Sequence, residues 1–140
     1  MKSTAVIMAV LALALPAQSG RACGYCVEDK IAAVYDHAVV TQALARKHQV
    51  AFFGLDGPLA GGENERRLIE RIAETAYGAD AGSARVSIEG ASLSVAFDPG
   101  KVSYFGLQRF LNKKLARRGH TPLPLRVMDR PAELKTLARP

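Results

Sequence analysis

Cys23 and Cys26 are the only cysteines in the 140-residue chain, and Gly24 and Tyr25 separate them. Two thiolates at that spacing can close on one thiophilic metal ion or exchange with a disulfide. A crosslink between them would close a loop too short to stabilise a fold, so a structural staple is a poor account of the pair. An incidental oxidised pair remains the bland alternative. Two sulfurs suit linear Cu(I) or Hg(II), with Cu(I) the first expectation, whereas Zn(II) normally takes four ligands.

Other chemistry is sparse. No nucleophile, histidine and acid grouping is readable, so the expectation is a protein that is not an enzyme, with no catalytic residue. Glu63 and Glu65 read as the solvated start of a helix. His37 lies eleven residues beyond Cys26, about 16 Å along a continuous helix, too far to share an ion with the pair. His48 and His120 fall at helix ends, where imidazolium is favourable. Tyr25 is placed to shield the sulfurs rather than to coordinate.

The pair stands behind a segment that reads as a secretion signal, residues 1–19. Met1-Lys2 gives a short positive start, Thr4 to Leu15 an apolar run, and Pro16 to Gly20 small residues for cleavage after Ala17 or Ser19. That run falls short of the roughly 20 residues a membrane-spanning helix requires. A periplasmic or secreted location follows as the expectation. A lipoprotein acylated at Cys23 is disfavoured by Arg21, which interrupts the required motif.

The elements that must position the cysteines come next. Val27, Ile31, Val34 and Ala38 recur at helical spacing, extended by Val39 and Leu44, and predict one helix from about Tyr25 to Lys47. The pair would open that helix, whose positive end stabilises thiolate. Its far end would lie well away from the loop after the first strand, Gly54 to Pro58, unless the helix folds back over the sheet. Gln49 to Leu55 reads as a strand, followed by a turn-rich loop and a helix from about Asn64 to Tyr77. Val86 and Ile88, then Leu93, Val95 and Phe97, alternate with polar or small residues around Gly90-Ala91, predicting a hairpin with one apolar face. Ser103 caps a helix from Tyr104 to Arg118. Leu123 to Met128 is a strand that its prolines confine to a sheet edge.

Strand, helix, strand, strand, helix, strand is satisfied most compactly by an α+β, ferredoxin-like βαββαβ sandwich with a four-stranded antiparallel sheet, preceded by an N-terminal helix. The chain divides into a signal (1–19), a helix with the Cys-x-x-Cys pair (20–48), the sandwich domain (49–129) and a tail (130–140).

A resemblance attaches to part of this stretch. Ser83 to Glu89, then Leu93-Ser94-Val95-Ala96-Phe97-Asp98-Pro99-Gly100-Lys101-Val102-Ser103, and a helix ending in Arg118-Gly119-His120, resemble the second half of a heavy-metal-associated domain. The likeness covers roughly Gln49 to Met128 and implies the ferredoxin-like fold and metal handling or transfer, with a transfer partner protein. That family holds its metal by Cys-x-x-Cys in the loop after the first strand. This chain has Gly54-Leu55-Asp56-Gly57-Pro58 there, with no cysteine. The expectation is therefore a degenerate member whose soft-metal site has moved to Cys23 and Cys26.

Two rivals remain. A dithiol redox protein is one, although cleavage of the expected signal would leave too few residues before Cys23 for the strand that introduces such a motif in thioredoxins. A basic-surface binding module is the other. The formal charge is +6, and from Lys101 onward ten Lys or Arg face only Asp129 and Glu133. Lys113, Lys114, Arg117 and Arg118 gather at one helix end, as on a solvated helix face or a surface that meets an anionic membrane. Nucleic acid is not expected as a partner, because the Ser92 to Phe97 strand has one ring where RNA-binding sheets stack several.

Overall fold

A computed structural model describes residues 26–130 of the chain. The expected signal segment, Cys23 and the tail beyond Arg130 lie outside the described residues. In order come α1 (Val27–Val34), α2 (His37–Ala45), β1 (Gln49–Asp56), α3 (Gly62–Glu74), β2 (Arg85–Ser87), β3 (Ser92–Phe97), α4 (Tyr104–Ala116) and β4 (Thr121–Met128). The four strands form one sheet in the order β2-β3-β1-β4, every neighbouring pair antiparallel. The fold is α+β, with β1 and β3 inside the sheet.

Local chemistry accounts for most of these elements. Glu63 and Glu65 stand in the first turn of α3 and Arg71 in its last, as the macrodipole favours. Ser103 Oγ accepts the Gly106 amide at 3.1 Å and caps α4. The end of α4 is closed by the His120 amide, which donates to the Leu115 carbonyl at 3.1 Å. Strand β4, with Pro122 and Pro124, has β1 as its one neighbour, so neither missing N–H breaks an interior ladder. Its register slips between Phe52 and Phe53, where Phe52 faces Arg126 and Phe53 faces Pro124.

Two features differ from the sequence expectation. The single helix expected from Tyr25 to Lys47 is two helices, parted at Tyr35-Asp36. Asp36 Oδ1 accepts the amides of Ala38 (2.9 Å) and Val39 (3.1 Å), starting α2 afresh. An unbroken helix of that length would run about 33 Å, beyond the roughly 27 Å of an eight-residue strand. The break keeps both halves on the sheet.

The second difference concerns the hairpin. All six residues of β3 are buried, so it has two covered faces rather than one. Leu93, Val95 and Phe97 join Ala51, Phe53 and Leu55 of β1 under α3 and α4, with Ile69, Leu107, Leu111 and Leu115. On the reverse, Val50, Phe52 and Ala96 pack against Ile31, Val34, Val40 and Ala43 of α1 and α2. The small side chains Ser92, Ser94 and Ala96 resemble a solvent-facing pattern in sequence. In the fold they are the shallow floor on which two helices lie.

Candidate functional site

Cys26 is the residue immediately before α1, in extended backbone geometry, and its carbonyl accepts the amides of Asp29 (3.1 Å) and Lys30 (3.2 Å). The thiol is half-buried. Its Sγ lies 3.4 Å from Asp29 Oδ2, a contact that a protonated thiol makes by donating to the carboxylate. Cys23, its expected partner, lies outside the described residues.

Three contacts fix where this helix start sits. Lys30 Nζ donates to the carbonyls of Gly90 (3.2 Å) and Ala91 (3.3 Å), in the turn between β2 and β3. One turn later, the Val34 carbonyl accepts Ser94 Oγ at 2.9 Å, in the middle of β3. Ser92 faces Gly54 and Ser94 faces Phe52 across the β1–β3 ladder. Helix α1 therefore runs from the C-terminal end of β1 toward its middle, with Cys26 one turn ahead of Lys30 at the sheet's rim. Glu28 adds an ion pair to Arg126 on β4, and that guanidinium holds the Glu28 carboxyl below the usual carboxylate range.

The same rim of the sheet carries the loop after β1. It has no sulfur, and it is held by Leu59, which packs against the core beneath α3 and α4, and by polar contacts. Gly57 lies against the Gly119 carbonyl, so close that a methyl group there would stand 2.1 Å from that oxygen. Glu65 Oε2 accepts the Gly61 amide at 2.6 Å, while Glu65 Oε1 meets Nε2 of the buried His120 at 2.8 Å. Glu65 thus joins the loop to the end of α4, a role the sequence reading missed in treating it as solvated. No local signal announces it, because His120 is brought in from the far end of the chain. Nδ1 of His120 has no hydrogen-bond partner among the described residues.

The remaining sequence candidates are dispersed. His37 opens α2 and is exposed. His48 lies at the opposite end of the sheet, with Nδ1 2.9 Å from each carboxylate oxygen of Asp80 and Nε2 3.7 Å from Asp98 Oδ2. Glu63 is held by Arg66 and then Arg67, which bring its carboxyl down to about 2. Among the described residues no three His, Cys, Asp or Glu side chains are grouped to hold a metal ion, and no helix is long and apolar enough to cross a membrane. Among the described residues, what the rim offers chemically is one half-buried thiol at a helix start, fastened to the sheet. No protein-family model, no curated protein and no solved structure matches this chain.

Proposed function

We propose that this protein is an exported, ferredoxin-like relative of heavy-metal-associated domains that takes a soft metal ion, Cu(I) before Hg(II) or Zn(II), between Cys23 and Cys26 and passes it to a partner protein. The observation that carries the reading is the position of Cys26: half-buried at the start of α1, at the same end of the sheet as the cysteine-free loop after β1. The order of the sheet's strands and helices supports the ferredoxin-like assignment. Cys26 and Cys23 would hold the ion, and two-sulfur ligation suits a monovalent soft cation without further protein ligands. Loading has to release Sγ from Asp29, since a thiolate cannot donate to a carboxylate. Asp29 then remains beside the site as a fixed negative charge, which favours a bound cation over a free thiolate.

The test is anaerobic titration of the reduced protein with Cu(I), Hg(II) and Zn(II), beside a Cys23→Ser, Cys26→Ser double variant. Tight uptake of one Cu(I) or Hg(II) per chain, abolished in the double variant, is the expected result. Equal uptake by both proteins removes the cysteines from the function. A rapid, reversible disulfide without tight metal binding assigns the pair to thiol exchange instead.

A further inference from the structure

The geometry points to a second working surface, independent of the cysteines: we propose that the outward side of α4 docks this protein on an anionic phospholipid membrane. Leu107, Leu111 and Leu115 face the core and are fully buried. On the opposite side Phe105, Arg109, Lys113 and Arg117 follow one another every fourth residue, all exposed. Phe105 is 74% exposed and Tyr77, just past α3, 73%. These rings mark the same end of the helix layer. Gly78 accepts the Asp98 amide at 2.8 Å, and a methyl on Gly78 would strike Val102, just ahead of α4.

The charge on this side is one-signed. From Pro99 to Met128 the chain contains no Asp or Glu. Arg126 pairs with Glu28 across the sheet. Lys101, Arg109, Lys113, Lys114, Arg117 and Arg118 form no ion pair among the described residues. Helix α3 beside it is different: Arg66 and Arg67 are met by Glu63 and Glu70. A helix face left cationic while its neighbour is neutralised calls for an external anion.

Two open grooves, about 560 and 400 Å³, meet at Arg117 and Arg118. Asn64, His120 and Glu65, whose carboxylate is engaged by the Gly61 amide and His120, help line the first, Ile72 and Lys114 the second. Guanidinium pairs beside open space suit the phosphate of a headgroup. The aromatics decide between a lipid surface and an acidic protein. Phe105, in edge contact with Tyr104 at 5.9 Å between ring centroids, and Tyr77 stand exposed at one end of the helix layer, suited to the headgroup boundary, where a cationic helix face adds electrostatic attraction. Docked this way, the protein keeps α1 and Cys26 on the far side of the sheet, turned toward the aqueous phase.

The chain has no tryptophan, so Phe105→Trp gives a single reporter of contact at α4. With vesicles of phosphatidylglycerol and phosphatidylcholine at low salt, its emission should shift to the blue, and about 0.5 M salt should reverse the shift. Vesicles of phosphatidylcholine alone should leave it unchanged. Adding Arg109→Gln and Lys113→Gln should weaken vesicle binding about 25-fold, from about fivefold per cation removed, with the thermal unfolding curve retained. Should those substitutions unfold the protein, Lys114→Gln with Arg118→Gln provides the same comparison. The proposal is overturned by no shift on anionic vesicles, by an equal shift on neutral ones, by full binding in the folded glutamine variants, or by an equal shift with soluble glycerol phosphate. Identical vesicle binding in the Cys23→Ser, Cys26→Ser background separates this surface from the metal reading.

Discussion

Asp36 Oδ2 accepts a hydrogen bond from Arg85 Nε at 2.9 Å, joining the break between α1 and α2 to the edge strand β2. The other oxygen of the same carboxylate caps α2. The Val39 amide, with Arg85 and the Ala38 amide, holds the Asp36 carboxyl below its ordinary value of 3.8, against the opposing effect of desolvation. A depressed carboxyl stabilises the fold fully above its unfolded value and loses that contribution as the pH falls through the folded one. Asp36→Asn keeps the capping oxygen and loses the charge, so its stability should fall less steeply than the wild type's below about pH 4. Asp36→Ala also loses the cap and should cost about 1 kcal/mol at neutral pH. Urea unfolding across a pH series checks both, and an acid limb unchanged in Asp36→Asn would refute the assignment.

Phe52 and Phe53 are adjacent yet buried in different cores, Phe52 under α1 and α2, Phe53 beneath α3 and α4. Phe53 also stacks on Tyr104, with ring centroids 5.6 Å apart. Each alanine substitution should cost about 3–5 kcal/mol, with different consequences. Phe52→Ala should release α1 and α2 first, seen as proteolysis confined to residues before Gln49, whereas Phe53→Ala should expose the whole chain. Identical cleavage patterns would show that the two layers do not separate.

Ser94 is buried and its hydroxyl donates to the last carbonyl of α1. Ser94→Ala leaves the Val34 carbonyl without that donor and should destabilise by about 1 kcal/mol. Amide exchange should quicken in α1 more than in α4. Uniform quickening would mean that the bond serves the sheet and not the helix.

Gly57 has a φ of +113° and no room for a methyl beside the Gly119 carbonyl, while Gly62, at +56°, faces open space. Gly57→Ala should therefore cost more than about 2 kcal/mol, and Gly62→Ala only about 1 kcal/mol. Equal losses in chemical denaturation would show that the approach of the two loops is unimportant.

Periodicity alone was enough to read the hairpin strands β2 and β3 and the helices α3 and α4, while β1 was read from an uninterrupted apolar run. Leu107, Leu111 and Leu115 repeat at helical spacing, and the alternation of Leu93, Val95 and Phe97 marks a strand, because burial of one face leaves a period in the chain. The prolines at 122 and 124 identified an edge strand for an equally local reason, the missing N–H. Cys26 as the start of a helix was legible from the apolar stripe that follows it.

The second buried face left no such period. Ser92, Ser94 and Ala96 have the small, polar character of solvent-facing residues, and their burial under α1 and α2 depends on a break at Asp36 and on contacts with Arg85 and Val34 that lie far away in sequence. The same holds for Glu65 and His120. Residue types and spacing determined which segments form helices and strands, apart from the break at Asp36, and which thiols are present. Only the tertiary structure decided that α1 folds back to bring Cys26 to the same end of the sheet as the loop after β1, because that placement is set by hydrogen bonds and packing between segments whose separation carries no local signal.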